Sequence, residues 1–177
     1  MSSITIVSDG ITRVHTTAVV NAANEGLWQG SGVCGAIFAA AGPQKLKKAC
    51  DAIGRCDTGS AVITPAFDLA GSDYIIHAVG PVWRGGQNNE AKLLYGAYRS
   101  SLELAAKNNC KSIGFPLISA GIFGYPLEKA WNVALSACSD FISENPNFDI
   151  EIKFAVPSEE NRNTGERLLA HFQKSGI

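Results

Sequence analysis

The amino-acid sequence predicts an α/β layered domain, with helices on both faces of a largely parallel sheet. Two observations carry this: strand-like and helix-like stretches alternate along the chain, and the strand-like ones are apolar runs of the kind buried on both faces. Length agrees, since 177 residues with 46% hydrophobic content suffice for one well-buried domain spanning 1–177, without linker, internal repeat or low-complexity segment.

Residues 4–7 read as the first strand and 18–20 as the second, an apolar run that closes on Val19 and Val20. A short helix over 33–41 follows and is stopped by Gly42-Pro43, because proline cannot continue a helix and glycine tolerates the dihedrals of a helix end. A second helix covers 43–52. Strands over 60–64 and 74–79 come next, then a long helix over 90–108. The pattern repeats with a buried strand over 112–118, a helix over 127–144, a strand over 150–156 and a closing helix over 159–174. One loop, 81–89, has flexible composition: Pro-Val-Trp-Arg-Gly-Gly-Gln-Asn-Asn.

Several function classes are set aside by charge and composition. A formal net charge of −1, with lysines and arginines scattered evenly, leaves no basic stripe for a polynucleotide. No stretch approaches a membrane span, and the first residues lack the regions of a secretory signal. The five cysteines, Cys34, Cys50, Cys56, Cys110 and Cys138, are odd in number and without C-x-x-C spacing, which fits reduced thiols in a cytoplasm. Cys50 and Cys56 with His15, His77 or His171 make a poor zinc set, so neither metal nor cofactor is expected. The expected state is a monomer.

Chemistry concentrates in two loops. Residues 19–42 join a buried strand to a helix through Asn21, Asn24, Gly26, Gly30, Ser31, Gly32, Val33, Cys34 and Gly35. Glycines at that spacing let backbone N–H groups approach an anion, and the helix N-terminus adds unpaired donors and partial positive charge. Phosphate can be held there without lysine or arginine. Asn24, which both donates and accepts, suits a ribose diol, while Asn21 fits a strand end tying loop backbone together. A second glycine-bearing loop follows a second buried strand: Ser119, Ala120, Gly121, Ile122, Phe123 and Gly124. Both lie beyond the carboxyl ends of strands, where ligands of open α/β sheets sit, so two loops can clamp one pyrophosphate with Phe123 against the sugar. Taken singly, Phe123 and Tyr125 also fit a role capping the core edge.

The strings V-V-N-A-A-N, G-S-G-V-C-G-A-I, I-I-H-A-V-G-P at 75–81 and F-P-L-I-S-A-G-I-F-G-Y-P occur in the order of the macrodomain signature, and the chain resembles that family along nearly its whole length. It is similar to the MacroD-type branch, many of whose members hydrolyse ADP-ribose esters on proteins or O-acetyl-ADP-ribose. The resemblance implies a three-layer α/β/α sandwich around a six-stranded mixed, mostly parallel sheet. It also implies ADP-ribose, free or attached to a protein or small molecule, as the partner. Asn24 matches the asparagine on the distal ribose, 30–34 the first phosphate loop, and 119–123 the second, with Phe123 beside the distal ribose. Three positions depart from the pattern. Asp9 stands one place out of register with the aspartate that pairs with adenine, leaving the backbone of Ile11 as a contact. Pro157 replaces an aromatic that stacks on adenine. Cys34 replaces an aspartate that orients the attacking water, although macrodomains of the alphavirus kind share Gly-Val-Cys and are hydrolases.

The catalytic candidates are therefore Asn24, Cys34 and Phe123. In this reading the substrate's own pyrophosphate and backbone groups position the water. Cys34 as a nucleophile lacks an evident histidine base nearby in sequence, and His77 fits an interior histidine better than an acid or base. Two rivals remain. One is a non-catalytic reader of ADP-ribosylated partners. The other is a nicotinamide oxidoreductase, because Gly30-x-Gly32-x-x-Gly35 formally satisfies the dinucleotide fingerprint, though its first glycine lies well beyond the strand end.

Overall fold

A computed structural model describes residues 1–175. Six strands form one sheet: β1 (Ser3–Val7), β2 (Ala18–Ala22), β3 (Ala61–Pro65), β4 (Tyr74–Ala78), β5 (Ser112–Phe115) and β6 (Glu151–Ala155). The helices are α1 (Gly32–Ala41), α2 (Pro43–Ile53), α3 (Glu90–Lys107), α4 (Leu127–Glu144) and α5 (Glu159–Lys174), with a 3-10 turn at Ile11–Arg13 that the sequence did not announce. Strand order is β1-β6-β5-β2-β4-β3. All neighbours are parallel except β3, which runs antiparallel to β4. Only residues 66–73 connect those two strands, too few for the crossover a parallel pair requires.

The sheet is buried on both faces, and alternation along each strand divides the core in two. Val20, Ile76, Ile113 and Phe154 face the cluster built by α3, α4 and α5, around Tyr98, Trp131 and Phe141. Val19 and Ile75 face the cluster built by α1, α2 and the 3-10 turn, around Ile37, Phe38 and Leu46. The three-layer sandwich implied by the resemblance is thus the observed architecture.

Where each strand stops decides where the sheet opens. β2 continues to Ala22, two residues beyond the predicted end, by pairing Asn21 with His77 and Ala22 with Ala78 on β4. β5 stops at Phe115 rather than 118, because Pro116 has no N–H to continue the ladder. Against β2 it makes only the pairs Ala18 with Ile113 and Val19 with Gly114. Past those pairs β2 and β5 part, opening a crevice between their carboxyl ends.

Candidate functional site

The crevice holds a cavity of about 430 Å³ between the loops after β2 and β5. Its lining is Ala22, Ala23, Asn24, Gly30, Ser31, Gly32, Val33 and Cys34 from one side, Pro116, Leu117, Ile118, Ser119, Gly121, Ile122 and Phe123 from the other, and Gly80 from the end of β4. No carboxylate, imidazole, guanidinium or ammonium is in that lining. Any anion here must be met by neutral donors, main-chain N–H groups and the side chains of Asn24, Ser31 and Ser119.

Such donors are present on both sides. Ser31 caps α1 without a side-chain hydrogen bond, and the first intrahelical bond reaches from Gly35 N to Ser31 O at 3.3 Å. The N–H groups of Gly32, Val33 and Cys34 are therefore the orphan donors of that helix start. Opposite, Gly124 N donates to Gly121 O at 3.0 Å and Tyr125 N to Ser119 O at 3.0 Å. Those bonds close the second loop and leave the N–H groups of Gly121, Ile122 and Phe123 outside its own hydrogen bonding. Ser119 takes the left-handed conformation, φ 67°, and its buried Oγ has no partner among the described residues. Gly80 lets the second loop come close: a Cβ there would overlap Ser119 Oγ and Ile118 Cγ2.

Asn24 is set by its own loop. Its Nδ2 donates to Trp28 O at 2.9 Å, and Trp28 N donates to its Oδ1 at 3.1 Å. The carboxamide keeps a second N–H and a second lone pair for the cavity, in an orientation fixed in advance. Cys34 is 6% exposed. Its Sγ receives Gly30 N at 3.4 Å and Asn21 Nδ2 at 3.6 Å and donates to Trp28 O at 3.6 Å. The thiol ties the glycine loop to α1, and among the described residues no base is hydrogen-bonded to it.

Beneath the cavity floor lies a buried polar chain. Asn21 Nδ2 sits 3.1 Å from His77 Nδ1, and Thr64 Oγ1 sits 3.0 Å from His77 Nε2. An amide nitrogen can only donate, so Nδ1 is the acceptor, Nε2 carries the proton, and Thr64 donates its own proton to Pro65 O at 3.1 Å. Burial alone lowers the imidazole to about 4, so His77 is neutral. Cys50 Sγ lies 3.9 Å from Nε2, its thiol pushed up to about 11 by burial first and by Cys34 and Asp51 next.

The Macro domain family model matches residues 20–134, the stretch that builds all three cavity-lining segments. Over 175 residues the chain is 45% identical to an O-acetyl-ADP-ribose deacetylase of Cronobacter turicensis, covering 97% of this chain and 98% of that one. The chain belongs to the Macro domain family. This macro domain superposes on the Oceanobacillus iheyensis macrodomain with ADP at a TM-score of 0.90, with 37% identity over 96% of this chain and 91% of that one. A Trypanosoma brucei macrodomain in complex with ADP-ribose matches at a TM-score of 0.86, with 36% identity over 94% of this chain and 68% of that one.

Of the residues singled out by sequence, the macro domain brings Asn24, Gly30, Ser31, Gly32, Val33, Cys34, Ser119, Gly121, Ile122 and Phe123 into one lining. Seven others stand outside it. Asn21, grouped with the binding loop but read singly as a strand-end tie, is 1% exposed with its amide engaged by His77 and Cys34, so it lies under the floor and a direct ligand contact is corrected to a supporting one. Gly35 is excluded because Gly30 O closes over it, 2.8 Å from where a Cβ would stand. Ala120 and Gly124 shape the turn behind the cavity. Asp9 and Ile11 follow β1 and Pro157 follows β6, farther along the row of strand ends; Asp9 and Pro157 are exposed and Ile11 is buried. Tyr125 is buried in the core edge, as its alternative reading proposed, and Trp28 is 66% exposed with its ring against Gly26. Sequence reasoning missed Ala22, Ala23, Gly80, Pro116, Leu117 and Ile118 as lining residues, although all stand in the quoted strings.

Proposed function

We propose that this macro domain binds ADP-ribose and hydrolyses esters of its distal ribose, with O-acetyl-ADP-ribose and aspartate- or glutamate-linked mono-ADP-ribose as the substrate class. The observation that carries the reading is the convergence of two sets of unpaired main-chain N–H groups, from 32–34 and 121–123, on one cavity that contains no cation. A diphosphate between them gains charge-assisted hydrogen bonds and the α1 dipole. The name of the Cronobacter relative supports the deacetylase activity, and the Trypanosoma complex supports the ligand.

Strand order supports a course for the rest of the ligand. The carboxyl ends run β1, β6, β5, β2, so an ADP-ribose whose diphosphate lies between β5 and β2 extends its adenosine toward β6 and β1. Three strand spacings cover roughly 14 Å. The backbone of Ile11 and the face of Pro157 wait there, with Asp9 beside them. At the other end Asn24 holds the distal ribose and Phe123 covers it. Water adds to the ester carbonyl carbon, the carbon–oxygen bond to the ribose breaks, and the ribose oxygen leaves with a proton, giving free acid and ADP-ribose. With no carboxylate or imidazole in the lining, the chain contributes positioning, and the substrate's diphosphate is the group available to hold the water.

That same bare lining favours a second reading, a module that binds ADP-ribosylated partners without cleaving them. Incubation with O-acetyl-ADP-ribose and with a carboxylate-linked mono-ADP-ribosylated protein, followed by mass spectrometry, separates the two. Release of acetate or of ADP-ribose establishes the hydrolase; no release with tight ADP-ribose binding leaves the reader. A preference for intact NAD over ADP-ribose overturns both in favour of the oxidoreductase. The same proposal has the chain acting as a single-domain cytoplasmic monomer without metal, cofactor or polynucleotide; its support is five buried free cysteines and a net charge of −1.

A further inference from the structure

The loop 81–89, flexible by composition, is held by a buried carboxylate. Glu90 opens α3 and is 1% exposed. One of its oxygens, Oε2, accepts Arg84 N and Gly86 N, each at 2.8 Å, and Oε1 accepts Asn88 N at 2.6 Å. Burial pushes the carboxyl upward, but the backbone bonds from Arg84, Gly86 and Asn88 outweigh it and bring it down to about 2. The turn so formed presents Trp83. Its main-chain N–H donates to Phe123 O at 2.8 Å, and its ring rests on Tyr125 with centroids 4.8 Å apart. Glu90 itself is not in the cavity lining, whereas Phe123 is.

We infer that Glu90 is a positioning residue for the reaction: by folding the 84–88 turn around its carboxylate it seats Trp83 against the second glycine loop and so fixes Phe123 over the distal ribose. The inference rests on the proposed ADP-ribose reading for what Phe123 covers. The coupling from Glu90 through Trp83 to Phe123 stands on the geometry alone.

Glu90→Gln keeps the volume and replaces one accepting oxygen with an NH2 that faces N–H donors. ADP-ribose calorimetry gives the competent fraction of each preparation, and turnover of O-acetyl-ADP-ribose is scored per competent site. A misplaced covering group costs turnover more than ground-state binding, so kcat falls about tenfold or more while ADP-ribose affinity changes by less than roughly threefold. Amide resonances of 119–125 shift in the ligand-free variant. Unchanged kcat per competent site and unchanged 119–125 resonances, with only melting temperature lowered, overturn the inference and leave a purely structural carboxylate. If Glu90→Gln does not fold, Trp83→Leu, which keeps the carboxylate, its donors and the main-chain bond to Phe123 O and removes the ring that seats the turn on Tyr125, is held to the same kcat and 119–125 resonance criteria. If the wild-type protein releases no acetate, the proposed function fails and the resonances of 119–125 still decide the coupling.

Discussion

At Gly121 a Cβ would meet no heavy atom within 4 Å, and the residue is not in the left-handed region. A side chain there has room in the protein but takes it from the cavity. Gly121→Val therefore folds as stably as the parent and weakens ADP-ribose by at least an order of magnitude, about 1.4 kcal/mol, in calorimetry. Wild-type affinity in that variant would place the diphosphate elsewhere. Asn24 has the opposite character, since its carboxamide serves the Trp28 turn and the cavity together. Asn24→Ala removes hydrogen bonds worth roughly 0.5–1.5 kcal/mol each. Turnover then falls more than ADP-ribose affinity does, because the distal ribose is the end that reacts; an unchanged ester-hydrolysis rate removes Asn24 from the mechanism.

Between elements, the second glycine loop depends on α3 as much as on β5. Tyr98 of α3 is fully buried, receives Ile118 N at its hydroxyl at 2.9 Å and donates to Pro116 O at 3.4 Å. Those bonds replace the ladder that Pro116 ends. Tyr98→Phe leaves a buried N–H without an acceptor, which costs about 1–3 kcal/mol. Denaturant unfolding should show that loss in the midpoint with an unchanged slope. A loss below about 0.5 kcal/mol would mean that Ile118 N finds another acceptor, such as an ordered water. Trp131 links the next pair of helices, its Nε1 donating from α4 to Asn161 O of α5 at 3.0 Å. The second glycine loop is thus fastened to α3 on one face of the sheet, while the first runs into α1 on the other.

Across the whole molecule, what was legible in the sequence came from local chemistry. The bounds of α4 and α5 emerged as read, because apolar periodicity and caps are local signals. The apolar run 116–118 read as strand, since hydrophobicity alone does not separate a ladder from a buried loop behind a proline. The glycine loops were legible because glycine marks where backbone does the binding. Gly80 and Glu90 were not, because each acts through contacts made only after folding. His77, read as an interior histidine, makes the one global prediction that depends on this burial. Its imidazole is lowered to about 4 from an unfolded value of 6.5, so between those values the unfolded chain binds a proton that the native one excludes. Its contribution is complete above pH 6.5 and is lost as pH falls toward 4, up to a limit on the order of 3 kcal/mol. Glu90, lowered to about 2 from 4.5, has the same sign but acts only below pH 4.5, and the Cys50 thiol is neutral throughout. Urea unfolding at about pH 7 and about pH 5 should therefore show a weaker fold at the lower pH, with the difference diminished in His77→Gln. An equal pH dependence in that variant would show that the Asn21–His77–Thr64 chain is not where the proton is refused.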